Sequence, residues 1–88
     1  MEPRLDQVIY WREGRQVIVQ VEFFDLLGAL RKEQFRYAGM EFRAGLEACA
    51  RSLKRRGIKG PCRVRKKQGG SLATDAALQK RFLGVLES

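Results

Sequence analysis

The run Asp25-Leu26-Leu27-Gly28-Ala29-Leu30-Arg31-Lys32-Glu33-Gln34-Phe35-Arg36-Tyr37-Ala38-Gly39 is where the rhythm of the sequence changes. Asp25 is a competent helix N-cap, and Leu26, Leu27 and Leu30 start an apolar stripe that thins towards Gln34 and Phe35. Gly39 supplies a stop, so the segment reads as a helix, weakened by Gly28 in its opening turn. The residues before it follow a different period. Leu5 to Arg12 and Gln16 to Phe23 are rich in Val, Ile and aromatics, with Glu13-Gly14 available as a two-residue turn, which predicts a β-hairpin. Pairing Tyr10 with Val17 and Val8 with Val19 puts Val8, Tyr10, Val17, Val19 and Val21 on one face, the expected core face. Ile9, Trp11 and Ile18 fall on the other, among Gln7, Gln16 and Gln20.

Downstream, Phe42, Leu46, Cys49 with Ala50, and Leu53 recur at spacings of three and four, predicting a second helix from Met40 or Glu41 to Arg56. Lys54, Arg55 and Arg56 in its last turn suit the carbonyl end of the macrodipole. Gly57 fits the left-handed position after the helix, with Ile58 folding back onto Leu53. Gly60-Pro61 turns the chain. Cys62 and Val64 then alternate with Arg63, Arg65 and Lys67, as in a short strand with one cationic face. Gln68-Gly69-Gly70 reads as a loop, and Thr74 as the cap of a last helix whose buried stripe is Leu78, Phe82 and Leu86. The expected order is ββααβα, a small α+β domain filling residues 1–88, because a chain of 88 residues has material for one core only.

The charge is unevenly spread. Of the formal net +8, residues 31–67 carry +10, while residues 1–30 sum to −2 and residues 68–88 to zero. Arg51, Lys54, Arg55, Arg56, Lys59, Arg63, Arg65, Lys66 and Lys67 follow one another without an intervening acid. A solvated face kept only for solubility mixes signs. A concentrated cationic strip instead attracts and orients a polyanion, so the expectation is a non-enzymatic protein that binds DNA or RNA through phosphates with these nine side chains. Arg31, Lys32, Arg36 and Arg43 widen the strip if their elements present the same face.

Other classes have less support. There is no histidine, no Walker-type glycine loop and no pair of carboxylates set apart from the rest, so no catalytic residue and no cofactor are assigned. Cys49 and Cys62 lack the paired spacing of a zinc site and read as structural, so no metal is expected. No apolar run approaches a membrane span, and Met1-Glu2-Pro3-Arg4-Leu5-Asp6 resembles no export leader, which makes a soluble, cytoplasmic protein the expectation. The alternative function is an interaction module or small regulatory or inhibitory subunit. It docks on an acidic protein surface, or forms a homodimer through the hairpin, with Ile9, Trp11 and Ile18 as its interface.

Short motifs add little. Arg31 to Ala50 has the outline of a helix-turn-helix, but Phe35 is bulky where close helix packing wants a small residue, and a plain helical hairpin packed on the sheet fits better. Gly57-Ile58-Lys59-Gly60 matches a minimal G-x-x-G loop, although the helix cap already accounts for Gly57. Cys49-Ala50-Arg51-Ser52-Leu53-Lys54-Arg55-Arg56-Gly57-Ile58-Lys59, followed by a strand, Gly69-Gly70 and a helix bearing Ala and Leu, resembles part of the eleventh small-subunit ribosomal protein family. The resemblance covers under half of the chain and lacks that family's Gly-Pro-Gly loop and basic tail; it implies RNA as a ligand and assigns no binding residue.

Overall fold

Alternating apolar residues dominate the N-terminal third, and strands are what they form. The computed structural model describes residues 2–88. It orders them as β1 (Arg4–Glu13), β2 (Gln16–Phe24), β3 (Leu30–Ala38), α1 (Phe42–Arg55), β4 (Arg63–Gln68), β5 (Ser71–Thr74) and α2 (Ala76–Glu87). The strands make one sheet in the order β3-β2-β1-β4-β5, in which β1 and β4 run parallel and the other neighbours antiparallel. The expected α+β class therefore holds, with the order βββαββα in place of ββααβα.

The hairpin keeps its expected faces but not its expected pairs. Its turn is Gly14-Arg15, one residue later than Glu13-Gly14, so Tyr10 pairs with Val19 and Val8 with Val21. Gly14 has φ +58 in the first turn position, where a type II′ hairpin requires a positive value that glycine takes at least cost. Moving the turn by one residue shifts the pairing by two. Because side chains alternate with period two, Val8, Tyr10, Val17, Val19 and Val21 stay together and are all buried.

The expected helix from Asp25 to Gly39 is instead a turn followed by β3. Asp25 does act as a cap, but of a turn: its Oδ1 accepts from the amides of Leu27 (2.9 Å) and Ala29 (3.0 Å), and Gly28 takes φ +82. Leu26, Leu27 and Leu30, the supposed buried stripe, are exposed. What packs is the alternation beyond them. Phe35 and Tyr37 lie against the core from positions opposite Val19 and Val17, while Lys32, Gln34 and Arg36 face the other way. A free edge of β2 supplied the partner that local propensity could not reveal. The helix-turn-helix outline lapses with that helix.

Gln68-Gly69-Gly70 is likewise more than a loop. Gly69, at φ +58, turns the chain into β5, which pairs back on β4 from Arg65↔Thr74 to Gln68↔Ser71. The cap of α2 is Asp75 rather than Thr74; its carboxylate accepts from the amides of Ala77 and Leu78.

α1 ends as expected. The Ile58 amide donates to the Leu53 carbonyl and the Gly57 amide to that of Lys54, with Gly57 at φ +74, and Ile58 is buried. Leu46, Cys49, Ala50 and Leu53 of α1 and Phe82 and Leu86 of α2 close the core over the valine face of the sheet. Tyr10 meets Phe42 edge-on at 5.1 Å between ring centres. Both helices thus cover one face, and no element among the described residues covers the other. Neither helix is long and apolar enough to cross a membrane.

Candidate nucleic-acid interface

Period-two geometry decides which cations share a surface. Val64 of β4 is buried in the core, so Arg63, Arg65 and Lys67 project from the uncovered face. Pairing carries that face across the sheet in rows. One runs Lys32, Glu22, Gln7, Arg63, and the next Gln34, Gln20, Ile9, Arg65, Thr74. A third runs Arg36, Ile18, Trp11 and continues to Lys67, whose Nζ stands 5.1 Å from the centre of the Trp11 ring. Five cations occupy these rows against one carboxylate, Glu22, with Glu13 at the margin.

A hydrogen-bonded layer lies over the middle of the face. Trp11 Nε1 donates to Glu13 Oε1 at 3.0 Å, and the other Glu13 oxygen is 3.6 Å from Arg36. Arg36 donates to Gln16 (3.4 Å) and Gln34 (3.3 Å), Gln34 to Gln20 (3.1 Å), and Gln20 to Glu22 (3.3 Å). Beneath this layer Ile18 is fully buried although no helix covers it. Arg65 donates to Gln7 Oε1, while its Nε is buried without a partner, an unmet donor that costs free energy while it stays so.

The nine cations expected to form one strip divide between two sides of the molecule. Arg63, Arg65 and Lys67 lie on the uncovered sheet face. Arg51, Lys54, Arg55 and Arg56 lie in the helical layer, at or beside the end of α1. There Arg55 bonds Ser52 Oγ, Lys54 bonds Ser88 Oγ, and Arg56 pairs with Glu33 while lying 5.7 Å from the Phe23 ring. Lys59 sits on the loop after α1, where its carbonyl accepts from the Leu5 amide. Lys66 turns to the helix side and places Nζ 4.7 Å from the Phe42 ring.

Of the flanking cations, Lys32 and Arg36 join the β4 cations on the sheet face. Arg31 is held by Asp25 at 2.8 Å and Arg43 by Glu47 at 3.5 Å. Glu47 also accepts from Arg81 of α2 at 3.1 Å, and this contact, with that of Arg43, keeps its carboxyl below the usual range. Of the three residues named for the alternative interface, Ile9 and Trp11 are half-buried on this face and Ile18 is wholly buried. Gln34 was missed as a site residue because residues 25–39 read as a helix; its signal was the alternation of Lys32, Gln34 and Arg36 with Glu33, Phe35 and Tyr37. Gln20 was placed on the outer hairpin face by the sequence but given no role there.

Compared with protein-family models, curated proteins and solved structures, the chain matches none, and no family model takes up the resemblance of Cys49–Lys59 to a ribosomal protein.

Proposed function

We propose that this protein binds nucleic acid without catalysing a reaction, gripping phosphates with the uncovered face of its sheet. The observation that carries this is the convergence of Lys32, Arg36, Arg63, Arg65 and Lys67, from two separate parts of the sequence, on one surface with a single carboxylate in its rows. Mixed signs would satisfy solubility; a one-sided field is what a polyanion uses. The end of α1, with Arg51, Lys54 and Arg55, is a second and separate positive region that aids approach from a distance. The cytoplasm, where both DNA and RNA are within reach, is the compartment this function suits.

The test is anisotropy of labelled DNA and RNA with the full chain at two salt concentrations. Five phosphate contacts give a slope of log affinity against log salt of about −4.5 on duplex DNA and about −3.5 on a single strand. Two charge-reversed triples separate the surfaces: Arg63→Glu, Arg65→Glu, Lys67→Glu on the sheet, and Arg51→Glu, Lys54→Glu, Arg55→Glu on α1. The sheet triple is expected to abolish binding with its circular dichroism unchanged, and the α1 triple to retain it. Undiminished binding by a folded sheet triple overturns the assignment.

A further inference from the structure

Within the rows through Glu22, Ile9 and Trp11 the charges on the uncovered face are segregated by strand; beyond them Arg4 of β1, 5.6 Å over the Phe24 ring, adds a cation at the far end of the face. All five cations of the rows stand on β3 (Lys32, Arg36) and β4 (Arg63, Arg65, Lys67), and both carboxylates, Glu13 and Glu22, stand on the two strands between them. Those middle strands otherwise present Trp11, Ile9, Gln7, Gln16 and Gln20. Resting on the nucleic-acid function proposed above, we infer that the ligand is a single-stranded segment that crosses the strands, with phosphates at β3 and β4 and unpaired bases over the middle.

Shape is the first reason. Four spacings of ~4.8 Å make the sheet about 19 Å wide, whereas a B-DNA major groove of ~12 Å admits a helix or a two-stranded ribbon. The A-form major groove is narrower still. A duplex can touch this flat face only along a line and leaves its centre idle. A single strand has no such restriction.

Charge order is the second. A phosphate over the middle strands meets Glu13 or Glu22, while a base there carries no charge to be repelled. The chemistry of the middle is the third. Trp11 is half-exposed, and the bond from its Nε1 to Glu13 fixes the ring before any ligand arrives, so a base stacks on it at little ordering cost. Lys67, whose Nζ lies over that ring 5.1 Å from its centre, yields this face to the base and is then placed to take the phosphate of the stacked nucleotide. Gln20 and Gln34 each offer an amide donor and acceptor, and both lie in exposed hydrogen bonds that can be exchanged for base edges.

Trp11 is the sole tryptophan of the chain and so reports on itself. The full chain is titrated with unlabelled single-stranded oligonucleotides of DNA and RNA, with a duplex of matched charge, and with heparin as a polyanion without bases. Single strands are expected to quench Trp11 emission and to bind at least ~10-fold more tightly than the duplex, and heparin to bind without quenching. Trp11→Leu keeps the apolar cover but has no π face. With labelled oligonucleotides it is expected to lose roughly 5- to 150-fold in single-strand affinity, the fold-change of a ~1–3 kcal/mol stack, and to leave heparin binding alone. Trp11→Phe, which can still stack, is expected to recover most of the loss.

Equal affinity for duplex and single strand, or a folded Trp11→Leu that binds single strands like the parent, overturns the inference and leaves phosphate binding by the sheet standing. If no nucleic acid binds at all, the inference and the function beneath it fall together.

Discussion

Arg56, just past the end of α1, grips Glu33 in the middle of β3 with both terminal nitrogens, 2.9 and 2.8 Å from the two carboxylate oxygens. The pair ties the crossover helix to an edge strand. It also takes the most deeply engaged cation of the α1 end out of any phosphate site. Its hydrogen bonds to Arg56 are the main reason that Glu33 titrates below its ordinary value. Stability from a depressed carboxylate is present above the unfolded-state pKa and is lost as pH falls through the folded one. Both side chains are about two-fifths exposed, which limits the net worth of the pair to about 1 kcal/mol or less. Arg56→Ala is expected to lower the melting temperature at pH 7 by up to about 4–8 °C. The gap narrows as pH falls through the folded-state pKa of Glu33 and closes at an acid value where Glu33 is protonated in either protein. Melts at both values check this; a gap that widens on acidification contradicts the pairing.

Asp25 governs the turn between β2 and β3. Its carboxyl titrates low, chiefly through the hydrogen bond from Arg31, with the amides of Ala29 and Leu27 adding to it. Asp25→Ala removes the acceptor and is expected to speed hydrogen exchange at the Leu27 and Ala29 amides, whereas Asp25→Asn keeps an oxygen for them and changes exchange far less. By the same sign rule as for Glu33, the protection of these parental amides, taken relative to the intrinsic exchange rate at each pH, falls as acid protonates Asp25. Exchange that is identical in all three proteins would show that the turn holds without its side chain.

The parts of the fold legible in the sequence are those in which one period and one partner suffice. Val8, Tyr10, Val17, Val19 and Val21 declare a strand face by alternation, and that parity survives a misplaced turn. Phe42, Leu46, Cys49 and Leu53 declare α1 by their spacing, and Gly57-Ile58 its end. β3 escaped because Leu26, Leu27 and Leu30 imitate a helical stripe while lying exposed, and because Phe35 and Tyr37 have a reason to be strand residues only once β2 stands beside them. The candidate site was half legible for the same reason. Alternation in β4 pointed Arg63, Arg65 and Lys67 together, but adjacency along the chain suggested a union with Lys54 and Arg55 that the two layers of the fold prevent. Lys66 could have been set apart from sequence, since it shares the parity of the buried Val64.

Both cysteines are chemically quiet. Burial pushes the thiols of Cys49 and Cys62 up to about 12, so at pH 8 only about one in ten thousand of either is thiolate. The folded protein is expected to resist iodoacetamide at both positions, and both to react once denatured. Mass spectrometry after timed alkylation reads this directly. Rapid native labelling of Cys62, the less buried of the two, would mean that its strand end opens readily.

The two glycines within helices make opposite predictions from one substitution. Each loses about 1 kcal/mol of helix propensity relative to alanine. At Gly84 of α2 an added Cβ meets nothing within 4 Å, so Gly84→Ala is expected to stabilise by up to about 1 kcal/mol. At Gly45 of α1 the same atom comes within 3.0 Å of Val17 Cγ1 and 3.5 Å of Tyr37 Cδ2. Val17 is fully buried in β2, with the core on its side of the sheet, so it cannot step aside freely. Overpacking of this kind costs about 1–3 kcal/mol, which outweighs the propensity gain, and Gly45→Ala is expected to destabilise. Urea titration separates the two, with midpoints moving in opposite directions at an unchanged m-value. If Gly45→Ala also raises the midpoint, the helix can lift from β2 without penalty. The close seating of α1 on the sheet would then not be what fixes the position of that glycine.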